Sequence, residues 1–185
     1  MSEPDLQRTV RAVVSALAAL RIPFHVTGGL ASSYYGEPRF TQDIDLVVKL
    51  DASQGESLTE RLHTEFLVEP DVLQDAVRRG RMFQALHRTT FVKVDFHVGE
   101  RIEGELERSR VRSVFEGLSV PIVAKEDAIL SKLVWILEGS GKSRQDVLGM
   151  LLDPEPVDID FVRRRATDLG CAKILAELER EADQA

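Results

Sequence analysis

Three aspartates and a pair of glycines offer this chain a way to bind a cation and a phosphate. Asp43 and Asp45 stand in "TQDIDLVV", Asp95 in "FVKVDFHV", and Gly28-Gly29 in "VTGGLASS". On a β-strand, residues i and i+2 face the same side about 6.6 Å apart. Asp43 and Asp45 on one strand could therefore embrace one divalent ion, or bridge the two ions of a site in which they lie about 3.5–4 Å apart. Same-face carboxylates repel unless a cation sits between them, so a metal would explain the pattern; the ordinary alternative is a chance pair on a surface strand. A Gly-Gly between a strand and a helix lets backbone N–H groups approach phosphate oxygens, with the helix N-terminus adding positive potential. The same two residues also make a plain tight turn. Thirteen residues lie between Gly29 and Asp43, room for a short helix and a return into an adjacent strand. Asp95 is a lone carboxylate in an apolar strand. It either faces solvent or, if its strand neighbours 43–50, is the third carboxylate on one sheet face.

Periodicity predicts the strands and helices that carry them. Leu6, Val10, Val13, Val14, Leu17 and Leu20 form the stripe of an amphipathic helix over 5–20. "IPFHV" (22–26) reads as a strand ended by "TGG", and "LASSYY" as a short helix closed by Gly36. In the strand 43–50, Ile44, Leu46 and Val48 face one way, and Asp43, Asp45 and Val47 the other. Residues 53–66 read as a helix with Ser53 as N-cap, and 70–80 as another ending at Gly80. The alternating runs 81–87 and 91–98, separated by "RTT", predict a hairpin with Lys93, Asp95 and His97 on one face. An extended pair is expected around 110–123, with Pro121 favouring an edge strand. Residues 126–138, 143–152, 158–169 and 171–182 carry helical patterning. The expected fold class is α+β: a mixed sheet flanked by helices over 1–123, then a helical C-terminal segment over 124–185 packed on that core.

Composition removes several functions. The 185 residues suit one globular domain, or a domain with a small helical appendage, and can bury roughly 70% of their surface without a staple. Cys171 is the single cysteine, so no intrachain disulfide forms and a reducing, cytoplasmic setting is the default. No apolar run approaches a membrane span, and the acidic opening "MSEPDLQRTV" lacks a signal peptide's basic start. A net charge of −7 argues against non-specific DNA binding. "VRRGR", "RSRVR" and "RRR" read as solvated faces.

Strand, Gly-Gly, helix, then Asp-hydrophobic-Asp on a strand and a third Asp on a later strand together resemble the nucleotidyltransferase superfamily of DNA polymerase beta. "TGGLASSYYGEPRFTQDIDLVV" is especially similar to small bacterial nucleotidyltransferase-like proteins with a Pro-Arg-x-Thr-x-Asp-hydrophobic-Asp string, a group that includes abortive-infection toxins and nucleotidyltransferases of toxin–antitoxin pairs. "KEDAILSKLVWILEGSGKSRQDVLGMLL" resembles their helical part, and the likeness covers residues 10–152. The resemblance implies that Gly28 and Gly29 hold a triphosphate, ATP or another nucleoside triphosphate. It implies that Asp43, Asp45 and Asp95 ligate two Mg2+ ions, with Asp95 or its metal taking the proton of the attacking hydroxyl. Arg39 and Thr41 precede the aspartates, Arg39 as phosphate clamp or structural ion pair; Lys132 and Asp146 close the cleft from the helical side. Many active members carry Ser after the first glycine; here Gly29 and Leu30 follow, and a hydrogen bond is forgone unless Ser32 or Ser33 supplies it.

The implied activity is nucleotidyl transfer to a hydroxyl acceptor: a small molecule, a tRNA end or a protein side chain. A cognate toxin or antitoxin protein, or a phage-defence role, follows from the likeness alone. The alternative is a catalytically silent nucleotide- or partner-binding module, and a homodimer through 126–182 stays open. Among the remaining residues, the four histidines lack zinc spacing, and His97 is a neighbour for Asp95 or simply exposed. Trp135 reads as helical core, Cys171 as a small core residue, and "EGSGKS" as a helix–helix connection. The second Asp-Ile-Asp, at 158–160, reads as helix initiation, with Asp158 as N-cap and Val157 and Val162 as a hydrophobic staple.

Overall fold

The computed structural model describes residues 3–185. A seven-stranded mixed sheet forms its centre, with strand order β3-β4-β5-β2-β1-β7-β6. Helix α1 (Asp5–Ala19) precedes β1 (Phe24–Thr27), α2 (Gly28–Tyr35) and β2 (Asp43–Val48). Then come α3 (Ala52–Leu62), β3 (Phe66–Leu67), α4 (Pro70–Arg79) and the hairpin β4 (Met82–His87) and β5 (Lys93–Val98). A one-turn helix, α5 (Glu105–Arg108), leads to β6 (Arg110–Phe115) and β7 (Leu118–Ile122). Four helices complete the chain: α6 (Lys125–Leu137), α7 (Gly141–Leu152), α8 (Ile159–Asp168) and α9 (Ala172–Ala182). No helix among the described residues is long and apolar enough to cross a membrane.

Strand alternation divides the sheet into two faces with different work. Ile44, Leu46, Val48, Val94 and Phe96 are all fully buried on one face, where α1, α3 and α4 cover them with Val10, Val13, Leu17, Leu58, Leu62 and Leu73. Each such side chain contributes roughly 1.5–3 kcal/mol by leaving water. The opposite face at β2 and β5 carries Asp43, Asp45, Lys93, Asp95 and His97, the odd-numbered positions. A second core lies among α6 to α9, built on Ile129, Leu133, Val147, Met150, Val162 and Leu175.

Helix α2 ties the two cores together. Its Leu30 packs into the sheet core, whereas Ala31 and Tyr35 pack into the helical one, and the Tyr35 hydroxyl donates to the Val123 carbonyl at 2.9 Å. At its end Gly36 lies flush against α7: a Cβ there would fall 2.9 Å from the Gly149 carbonyl carbon. That close approach fixes the glycine turn at the start of α2 relative to the helices that bear Lys132 and Asp146.

Several local expectations need correction. Asp51, not Ser53, caps α3: its carboxylate accepts from Gln54 N–H while the Gln54 side chain accepts from Asp51 N–H, and the Ser53 hydroxyl donates to the same carboxylate. Helix α3 stops at Leu62, because Phe66 leaves it to pair with His87 as a short strand and bury its ring. Pro121 is not on an edge strand; β7 lies between β1 and β6. The proline is tolerated because the β1–β7 ladder registers only at Val26 and Ile122. The hairpin loop is longer than expected, running from 88 to 92, with Phe91 in the left-handed region at φ 56°. Helix α2 begins at Gly28 itself, so the two glycines are its first turn. At the second Asp-Ile-Asp, Asp158 accepts from Phe161 N–H as the N-cap of α8, and Cys171 is buried.

Candidate active site

Strand β5 lies parallel beside β2, with Asp45 opposite Asp95 and Asp43 opposite Lys93. Paired residues of a parallel ladder share a face about 4.8 Å apart. The three aspartates therefore stand together, and two unscreened carboxylates at about 5 Å repel by roughly 3 kcal/mol at an effective dielectric of 20. Something cationic must hold them. Lys93 does so in part: its ammonium lies 2.9 Å from Asp95 Oδ2 and 3.7 Å from Asp43 Oδ2. The hydrogen bond to Asp95 raises the lysine pKa above its ordinary value, with Asp43 and Asp45 adding to it.

Asp45 meets the glycine turn. Thr27 of β1 pairs with Asp45, and Gly28 follows immediately. Gly28 has φ 62°, and a Cβ there would fall 1.9 Å from Asp45 Oδ2, so no other residue fits. A Cβ on Gly29 would meet the Thr41 hydroxyl at 2.7 Å. Burial would raise the Asp45 pKa, but His97, the Gly29 backbone amide and Lys132 outweigh it and hold the carboxyl below its usual range. His97 Nε2 sits 3.7 Å from Asp45 Oδ1, so this histidine partners Asp45 rather than Asp95. Asp43 is oriented by the Thr41 hydroxyl, which donates to its Oδ1 at 3.1 Å.

Across the cleft, a second charged group joins loop to helices. Asp146 accepts two bonds from the Arg39 guanidinium, at 2.8 and 3.1 Å, and pairs with the Lys132 ammonium at 2.7 Å. Burial works to raise its pKa, yet Arg39 and Lys132 prevail and depress it. Arg39, Lys132 and Asp146 are thus brought together on the same cleft as Gly28, Gly29, Asp43 and Asp45, in a cavity of about 280 Å³. Ser32 is placed differently. Its hydroxyl donates to the Gly28 carbonyl at 3.0 Å, which braces the turn from within the helix.

Sequence reasoning missed part of this cleft. Trp135 is not core: it is 40% exposed on the cleft wall, with the Arg101 guanidinium 5.2 Å above its ring. "EGSGKS" is more than a connection, because Ser140 is the N-cap of α7 and Lys142 and Ser143 open its first turn onto the cleft. Neither α2 nor α7 has a side-chain cap on its N-terminal amides. Two helix N-termini and the cations of Arg39, Arg101, Lys132 and Lys142 therefore converge on one cavity, a setting for several phosphate charges. The helical spacing of Ser140 and Ser143 was the available signal.

The donor set suits a hard divalent cation: three carboxylates and no thiolate. Asp95 is 7% exposed, and its Oδ1 is buried without any hydrogen-bond partner. Among the described residues no group of three or more His, Cys, Asp or Glu side chains is already placed to hold a metal ion. Lys93 stands between Asp43 and Asp95 instead, the place a cation would take.

Comparison with known proteins agrees with this fold. The chain shares its fold with an antigenic nucleotidyltransferase-like protein from Paracoccidioides brasiliensis, at TM-score 0.58 and 18% identity over 93% of both chains. It also resembles the solution structure of the antibiotic-resistance factor ANT(2″)-Ia, at TM-score 0.61 and 14% identity, covering 97% of this chain and 98% of that one. No curated protein matches the sequence. Residues 11–147 match the family described as nucleotidyl transferase AbiEii toxin, type IV TA system. With its carboxylates, glycine turn and helical clamp on one cleft, and that match spanning most of its length, the chain belongs to the AbiEii nucleotidyltransferase family.

Proposed function

We propose that the protein is a Mg2+-dependent nucleotidyltransferase that moves a nucleoside monophosphate from a nucleoside triphosphate to a hydroxyl acceptor, as the toxin of a toxin–antitoxin pair. One observation carries the reading: the β2–β5 register sets Asp45 opposite Asp95, with Gly28 in van der Waals contact with Asp45. In this reading the N-terminus of α2, with Arg39, Lys132 and Lys142, binds and orients the triphosphate along the cleft. Mg2+, held by Asp43, Asp45 and Asp95, would supply charge stabilisation for the attacking and leaving oxygens. The acceptor oxygen bonds to the α-phosphorus, the bond to the β-phosphate bridging oxygen breaks, and pyrophosphate leaves. The buried Asp95 carboxylate takes the acceptor's proton, and His97 keeps Asp45 ionised.

In-line displacement brings the acceptor in opposite the leaving pyrophosphate. A groove of about 1110 Å³ adjoins Asp43, sharing Arg39, Asp43 and Lys93 with the site and rimmed by the exposed rings of Phe40 and Phe91. We assign the acceptor to it. The test is transfer of label from each α-labelled triphosphate to cell extract, with Asp45→Asn as control. Transfer by the wild type alone supports the reading, whereas binding of triphosphate without transfer would establish a silent module. Growth arrest on expression, relieved by Asp43→Ala, tests the toxin role.

A further inference from the structure

Lys93 is the residue of the carboxylate cluster that the chemistry above leaves without a task. A lysine head on a half-exposed strand ordinarily reaches for water while its stem lies along the surface. Here the ammonium is folded back onto Asp95 Oδ2 at 2.9 Å and Asp43 Oδ2 at 3.7 Å, although the side chain is 40% exposed. The register causes this, because Lys93 is directly opposite Asp43 and two residues before Asp95 on the same face. The neighbouring basic side chains have other partners: Lys132 lies on Asp146 at 2.7 Å, and His97 beside Asp45 at 3.7 Å.

We propose that Lys93 is a built-in counter-ion of the carboxylate cluster, which a divalent ion must displace. It is a positioning residue that holds Asp43 and Asp95 in place and sets how tightly the site takes metal. The inference rests on reading Asp43, Asp45 and Asp95 as metal ligands. An ion bound at about 2.0–2.1 Å to the oxygens that Lys93 now contacts would face its ammonium at close range, so the two positive charges exclude each other. Asp95 Oδ1, which has no partner, is the oxygen that gains one when the exchange occurs. The displaced side chain has a route, since Lys93 also lines the open groove beside Phe91, and no core residue need move.

Calorimetric titration of Mn2+ without nucleotide, into wild type, Lys93→Met and Lys93→Arg, tests this. Lys93→Met should bind at least about tenfold tighter than wild type, about 1.4 kcal/mol, with Lys93→Arg close to wild type. Without metal, Lys93→Met should melt earlier than wild type, and Mn2+ should restore it. In the wild type, the Lys93 ζ-ammonium NMR signal, identified by its loss in Lys93→Arg, should shift as Mg2+ saturates the site. Equal or weaker binding by Lys93→Met, or a Lys93 signal that stays fixed through saturation, overturns the inference alone. Failure of all three proteins to bind the ion overturns the metal reading and the inference with it.

Discussion

Gly28 and Asp45 touch so closely that a single methyl group cannot be placed between them: a Cβ on Gly28 would lie 1.9 Å from the carboxylate oxygen. The start of α2 and the centre of β2 are consequently one unit, and each holds the other's geometry.

Gly28→Ala should therefore destabilise the fold by on the order of 2–4 kcal/mol, the sum of a left-handed backbone penalty and overpacking. Gly80 has a similar φ of 60° but only Val98 O within reach, at 3.7 Å. Gly80→Ala should cost about 1–2 kcal/mol, the backbone penalty alone. Urea denaturation of both variants checks the difference, and equal losses would show that the contact with Asp45 is unimportant.

The two Asp-Ile-Asp strings should respond differently. Asp45→Asn keeps the shape but removes a charge from the carboxylate cluster, and transfer should fall by at least about a hundredfold. Asp160 is an exposed partner of Arg163 at 3.2 Å on α8. Asp160→Asn should change stability by less than about 0.5 kcal/mol and leave transfer intact. The label-transfer assay reads both.

His25 gives a pH dependence. It is fully buried beside Glu105, both ring nitrogens lack partners, and burial lowers its pKa from 6.5 to about 4 against the pull of Glu100 and Glu105. Between those values the unfolded chain binds a proton that the folded chain refuses, so stability falls as pH drops from 6.5 towards about 4. The loss from this group is about 3 kcal/mol. Glu105, whose pKa burial raises, works in the opposite direction and trims it. Chemical denaturation across that range should show a shallower slope in His25→Leu; an unchanged slope would assign the pH dependence elsewhere.

Asp51→Ala should cost about 0.5–2 kcal/mol through loss of the α3 cap. Ser53→Ala should cost markedly less, because the Ser53 hydroxyl only donates to the Asp51 carboxylate. Thermal melting of the two variants distinguishes them, and a larger loss from Ser53→Ala would restore Ser53 as the cap.

Whatever local periodicity and local chemistry can carry is legible in the order of the amino acids. The stripe of Val10, Val13 and Leu17, the alternation through Asp43–Val48, the glycine turn and the N-cap at Asp158 are each written within a few residues, and the family likeness gathered them into one site. Which strands become neighbours, and everything that depends on it, is set by long-range packing. Arg39 meets Asp146 across 107 residues, and Lys93 comes to face Asp43 only through the parallel pairing of β2 with β5. Trp135 has the composition of a core residue, yet it lies on a cleft wall beneath Arg101 from a different element. Helical and strand periods report which side of an element is apolar. They do not report which element will stand across from the polar side, because that is settled by long-range packing of the two cores through α2.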